Sequence, residues 1–334
     1  MLIVESYSLA VVLCVVTMLC WGSWANTQKL ASQEWPFQLF YWDYSVGVLL
    51  LTLVLAFTVG STGAEGRSFL PDISQASGDA ITTALVGGIV FNLANILLVV
   101  AIDIAGMAVA FPVGIGLALV IGVVTNYLAD PVGDPAYLFI GVALIAVAIV
   151  IDAMIYRRLP RDATHSVGKG LGISIIAGIA MGFFYRFVAA SMATDFANPE
   201  AGLMTPYSAS VVFAAGLLLS NAVFLVPLMY KPISGERAPM TDYFNKGNTR
   251  LHLVGMLGGT IWSIGFCLSI IAAGAAGYAI SYGLGQGATM VAAFWGVFIW
   301  KEFKGAAPGT NRLIAAMFGL FFSGLGLIIY SRIA

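Results

Sequence analysis

Three ionisable residues stand inside otherwise apolar stretches of this chain, and each could do chemistry there. Asp43 lies in Phe40-Tyr-Trp-Asp-Tyr44, Arg186 in Gly182-Phe-Phe-Tyr-Arg186 and Asp152 in Ile149-Val-Ile-Asp152. A carboxylate buried away from basic residues can bind and release a proton, since burial disfavours charge. Asp43 is therefore the proton-coupling candidate, set against a reading as a helix-start acid in an interfacial Trp/Tyr belt. Arg186 is a membrane-embedded charge that either pairs with an anion or snorkels to the headgroups. Asp152 sits close to Arg157 and Arg158 and reads as half of an interfacial ion pair.

Neutral polar residues are more numerous and fall on faces at i, i+3 or i+4 spacing. Trp21, Trp24 and Asn26 lie in the first apolar stretch, Asn92 and Asn95 in the third, Trp262 and Ser263 in the eighth, and Tyr282 and Gln286 in the ninth. Singly, each reads as interhelical glue. Together, amides, hydroxyls and aromatic rings suit a neutral polar ligand stacked on rings, and these nine residues form the expected substrate site. The histidines, His165 and His252, lie near the expected membrane edges. The cysteines, Cys14, Cys20 and Cys267, have no metal-ligand spacing, so no metal or cofactor is expected.

The elements that must position these residues follow from composition. Of 334 residues, 60% are hydrophobic and 9% charged, against roughly a quarter charged in a soluble domain. About 200 apolar positions match roughly ten membrane helices of about 20 residues each. Apolar segments run at about 8–28, 37–59, 80–101, 106–128, 136–155, 169–189, 206–229, 251–273, 277–299 and 311–330. The expected fold is an all-α integral membrane protein with no separate soluble domain. The N-terminus has no cationic n-region, so the first segment reads as a retained helix. A net charge of −1 leaves no basic footprint for nucleic acid.

Basic residues set the orientation. Twelve of the fifteen fall in the odd-numbered links, Arg67 and Arg332 lie in the even links and termini, and Arg186 is in a span. The odd links are thus expected in the cytoplasm and both termini outside it. Shifting the sequence by 171 residues lays 87–120 over 258–291 without a gap, with ten of 34 pairs identical, among them Gly88/Gly259 and Gly106/Gly277. A five-span shift reverses direction across the membrane, so the expected organisation is two inverted five-helix repeats, 1–160 and 161–334, as in alternating-access carriers. Gly283-Leu-Gly285-Gln-Gly287 lacks the strand and Lys-Ser/Thr of a phosphate loop and reads as close packing or a helix break.

Val4-Glu-Ser6, Cys20-Trp-Gly-Ser-Trp24 and Tyr41-Trp-Asp-Tyr-Ser45 resemble the start of the plant ureide permeases. Gly87–Asn95, Leu257–Trp262 and Gly106-Met-Ala-Val-Ala-Phe-Pro-Val-Gly-Ile-Gly116 resemble bacterial glucose/ribose porters and rhamnose–proton symporters. All belong to the drug/metabolite transporter superfamily. The resemblance implies ten helices in two inverted halves and secondary, proton-coupled import of a small polar metabolite. The chain departs from the ureide permeases in its short central link, about 156–168.

The leading expectation is therefore a secondary transporter, not an enzyme, in the cell inner (cytoplasmic) membrane. It would import a small neutral polar metabolite, a sugar first, with protons or sodium as coupling ion. Ureide or nucleobase uptake is the alternative, and metabolite or drug export a further one, weakened by the absence of an acid midway along the first span. The basic bias makes a checkable statement about orientation. In intact cells, an impermeant thiol reagent should label a cysteine placed at Ser331 and spare one placed near Arg161; the reverse pattern would invert the topology.

Overall fold

The computed structural model describes residues 1–31, 34–159, 167–233 and 236–334, so Arg161 and His165 lie outside the described residues. Among these residues ten helices are long and apolar enough to cross a membrane. The first span is α1 (Tyr7–Ser23) and α2 (Ala25–Ala31), joined by a turn at Trp24, and the second is α3 (Phe37–Phe57). A short α4 (Phe69–Gln75) precedes α5 (Gly78–Ala105), α6 (Met107–Ala129) and α7 (Pro135–Tyr156). The rest runs α8 (Val167–Ala190), α9 (Pro206–Tyr230), a short α10 (Met240–Asn245) and α11 (Thr249–Ala276). The ninth span breaks into α12 (Tyr278–Gly285) and α13 (Ala288–Phe294) followed by a π-helical turn, Trp295–Ile299; α14 (Thr310–Tyr330) is the tenth.

Local chemistry places the ends. Ser77 Oγ accepts the Ala80 amide at 3.2 Å to start α5, and Asn248 Oδ1 accepts the Leu251 amide at 3.0 Å to start α11. The triplets Asp103-Ile-Ala and Gly274-Ala-Ala, expected as links, are helical instead. The chain turns one residue later, at Gly106 (φ 78°) and Gly277 (φ 86°), where a side chain would be strained. The glycine-rich stretch 283–287 does break its helix, at Gln286-Gly287. α4 and α10 were not visible as apolar runs because each is only one to two turns long and mixes polar with apolar residues.

The bundle is held by close helix crossings. α5 packs on α8 and α9; α11 packs on the first span and α3; α6 packs on α8, and the first span on α12 and α13. Three further pairs, α7–α14, α3–α9 and α6–α12, cross between the two halves. A Cβ built on Gly88 would lie 2.0 Å from the Phe213 carbonyl oxygen, and one on Gly259 1.9 Å from that of Tyr44. Such approaches need small residues, since dispersion and close packing drive helix association in lipid. Ser331 is 1% exposed, so Ile333, at 67%, is the better C-terminal labelling site. Gly88→Ala and Gly259→Ala should each destabilise the protein by about 1–3 kcal/mol, whereas Gly326→Ala, with open space around its Cβ, should not. Melting in detergent checks the contrast.

Candidate functional site

Between α3, α5, α9 and α10 a cavity of about 440 Å³ opens at the end of the bundle that carries the basic links. Leu39, Ile96, Val99, Leu225 and Leu228 form its apolar walls, and Glu34, Asp103, Arg237, Asp242 and Lys246 its charged mouth. One helical turn deeper, about 6 Å along each helix, lie Asn92 and Asn221, four residues before Ile96 and Leu225.

These amides form a polar floor beneath the cavity, buried and not part of its lining. Asn92 Nδ2 donates towards Asn221 Oδ1 (3.0 Å), Ser220 Oγ (2.8 Å) and the Leu217 carbonyl (3.2 Å). Asn221 Nδ2 donates to Ser45 Oγ at 2.8 Å, and Asn95 Nδ2 to the Tyr41 hydroxyl at 3.1 Å. Two polar atoms here are buried and lack a hydrogen-bond partner among the described residues: Asn92 Oδ1 and the Tyr44 hydroxyl. An unmet buried acceptor costs about 1–3 kcal/mol, and a ligand N–H would meet it.

Beside the floor rises a column of rings. Tyr41 stacks on Tyr44 (5.0 Å, 16°), Tyr44 meets Trp24 (4.9 Å), and Trp262 contacts Phe91 (4.4 Å), Trp21 (6.0 Å) and Phe213 (6.0 Å). Of the nine expected residues, Trp21, Trp24, Trp262, Asn92 and Asn95 thus converge around α3 and α5. The other four are placed elsewhere or occupied. Asn26 Oδ1 accepts from Trp300 at 2.6 Å at the basic end, and the Ser263 hydroxyl donates to the Val48 carbonyl at 3.4 Å. Tyr282 donates to the Ala118 and Met181 carbonyls, and Gln286 sits at the break in the ninth span. Sequence spacing missed Tyr41, Tyr44, Phe91, Phe213 and Asn221, because apolar and aromatic residues on a helix carry no mark of which neighbour they face.

Asp43 is 2% exposed and is not remote from basic residues, contrary to the expectation. His252 Nδ1 lies 2.9 and 3.1 Å from its two oxygens, from the first turn of α11. The Trp35 indole N–H donates to Oδ2 at 3.1 Å and the Tyr243 hydroxyl to Oδ1. Trp35, itself fully buried, stands edge-on to the imidazole at 5.3 Å, and the Tyr243 ring covers it at 4.6 Å. Gly255 makes room: a Cβ there would lie 2.4 Å from Asp43 Cβ. Burial, then the bond to Asp43, holds the Tyr243 phenol well above its ordinary titration range, so it stays a donor. Sequence distance hid this cluster, since Asp43 and His252 are 209 residues apart.

The other two charges also differ from expectation or stand alone. Asp152 is 7% exposed and makes no arginine pair among the described residues. The charge that bears on it is that of Glu302, which Lys29 neutralises at 2.6 Å. Arg186 is half-buried four residues before α8 ends and makes no ion pair among the described residues.

The ureide permease sequence profile matches residues 40–169 and 158–331. The chain belongs to the ureide permease family. It is 23% identical to Ureide permease 2 of Arabidopsis thaliana over 396 aligned positions, covering 99% of both chains. Ureide permease 1 and Ureide permease 5 of the same plant are 23% and 21% identical, at 99% and 98% coverage of this chain. The fold as a whole is similar to a solved crystal structure at TM-score 0.60 and 15% identity, covering 98% of this chain and 99% of the other. Homologues that are permeases make the protein a membrane transporter and not an enzyme.

At the opposite end this permease carries a buried charge network. Asp72 of α4 is fully buried; its Oδ1 accepts from Arg67 Nε at 2.8 Å, and its Oδ2 from the Thr205 amide and hydroxyl at 2.8 and 2.9 Å. Arg67 also donates to the Glu200 and Leu203 carbonyls, and Gln75 exchanges bonds with Leu203 and Gly202. The loop between α3 and α5 is thereby fastened to the start of α9. Asp72→Ala would strand a cation and two donors, a loss of about 3–5 kcal/mol for a buried pair. Its melting midpoint should fall well below that of Gly326→Ala.

Proposed function

We propose that this permease moves a small planar metabolite bearing adjacent N–H and C=O groups, of the ureide or nucleobase kind, by alternating access. The observation that carries this reading is the spare Asn92 Oδ1 in an amide floor beside stacked rings. A ring N–H would meet the acceptor, and the ligand's flat face would lie on the aromatic column. A sugar, the first expectation, would use the same amides but gains less from a flat aromatic wall, and the relatives bear the name ureide permease. Export remains the less favoured direction for the reason given by the first span.

Two inverted five-helix units, 1–160 and 161–334, account for the packing. Advancing each helix by five spans turns the α5–α8 contact into that of α11 with the first span, and α3–α11 into α9–α5. The same operation carries the Gly88–Phe213 approach onto Gly259–Tyr44. The substrate floor then lies between the halves, beneath the cavity that opens at the basic end and on the far side from the Asp72 network. With the basic links in the cytoplasm, this is an inward-open arrangement in a cell membrane. Asp43, on the helix that also carries Tyr41 and Ser45, serves coupling to protons.

The reading is tested in proteoliposomes with radiolabelled allantoin, uracil and glucose. Allantoin or uracil should be taken up and glucose should not, and Asn92→Ala should raise the KM by about tenfold or more, the effect of one lost hydrogen bond to a buried acceptor. Selective glucose uptake would restore the sugar reading, and unchanged kinetics in Asn92→Ala would move the site elsewhere.

A further inference from the structure

Asp43 and His252 form a pair in which only one member reaches water. The side chain of Asp43 is 2% exposed and that of His252 26%. The carboxylate is ringed by donors: Trp35 Nε1, the Tyr243 hydroxyl and His252 Nδ1. An imidazole that donates from Nδ1 carries its neutral-state proton there and leaves the lone pair on Nε2. That distal nitrogen faces the link between α10 and α11, where a Cβ on Gly247 would come within 2.3 Å of it.

We infer that His252 is the proton-binding residue of this permease, taking the proton at Nε2, and that Asp43 is its buried counter-ion. A hydronium ion gives up one proton to the Nε2 lone pair and leaves as water, while Nδ1 keeps its own. The pair passes from a net charge of −1 to zero. On the elements packed against it, Glu34 pairs with Arg250 at 3.4 Å and Asp242 with Lys246 at 2.8 Å, while Asp103, Glu236 and Arg237 line the cavity mouth beside it. Tyr243 stays protonated, so Asp43 is the unbalanced charge that the imidazolium answers.

The inference rests on the transport reading and deepens it, because α3 serves both sites. Tyr41 and Ser45, four residues apart, face the amides of α5 and α9, while Asp43 between them faces α10 and α11. A repacking of the floor must therefore move α3 against the helix that holds His252. A charged imidazole holds the carboxylate more strongly than a neutral one, so proton and substrate bias the same rearrangement, which is what coupling requires. Tyr243 acts as a positioning residue that ties α10, a wall of the cavity mouth, to the same oxygen.

Two measurements on the full chain test this. In proteoliposomes, a one-unit inward proton gradient can drive about tenfold accumulation at one proton per substrate. Wild type should approach that for allantoin, and His252→Gln should accumulate none above equilibrium. Tyr243→Phe should accumulate as wild type does at a lower rate. Separately, the His252 ring is observed by ¹⁵N NMR in lipid nanodiscs, on a His165→Gln background so that one histidine remains. Nε2 should gain a proton as pH falls across the range where accumulation changes, with Nδ1 protonated throughout. A ring that keeps one form over that range, or a His252→Gln protein that still accumulates, overturns the assignment. A ring that titrates as described in a protein that moves no allantoin upholds the proton site and overturns the ureide reading.

Discussion

Hydrocarbon offers no hydrogen-bond partner, and that single constraint organises the whole molecule. Backbone groups must be satisfied within each segment, so the described chain is helix wherever it crosses. Buried polar side chains must find partners too, and nearly all do. Asn221, Ser263 and Tyr282 each spend a donor on a neighbouring helix, and Ser45 spends its own on the Tyr41 carbonyl one turn back. Against that background a spare acceptor beside stacked rings, such as Asn92 Oδ1, is conspicuous, because leaving it unmet costs free energy that a ligand N–H would repay.

The same constraint explains how charge is tolerated at the two ends. Asp72 and Asp43 are both almost wholly buried, and each is surrounded by donors from other elements. Both lie where a short helix outside the spans, α4 or α10, meets a long one. The difference is in the partners. Asp72 faces a guanidinium, a hydroxyl and a backbone amide. Asp43 faces an imidazole, whose charge changes within the physiological range. One buried aspartate is thus held by arginine and the other by histidine, a difference on which the proposed proton site rests.

Helix α3 links these features because of its spacing. Residues at i and i+4 share a face while i+2 lies on the other side. Tyr41 and Ser45 therefore reach the amide floor, and Asp43 reaches His252. Its crossing of α11 is close at Gly259 and Tyr44, so a shift of α3 against α11 repacks both helices. Rigid, closely packed crossings convert a change at one face into a movement felt at the opposite face, since packed interfaces switch between discrete arrangements and do not deform smoothly.

Much of this was written in the residues themselves. Apolar length gave ten spans, polar and Pro/Gly breaks gave their ends to within a few residues, and the ring and amide faces of spans one, three and eight were legible as faces from their spacing. Length and polarity are local properties that solvent alone selects, so they survive in the primary structure. The partners of Asp43 were not legible. His252, Tyr243 and Trp35 come from three other segments, and His252 reads by itself as an ordinary residue at a membrane edge. Nor could spacing tell Asn92, with its spare oxygen, from Tyr282, whose hydroxyl is spent on α6 and α8. Which helix stands opposite a given face depends on crossings 125 to 209 residues apart in the chain, and only the packed bundle decides that.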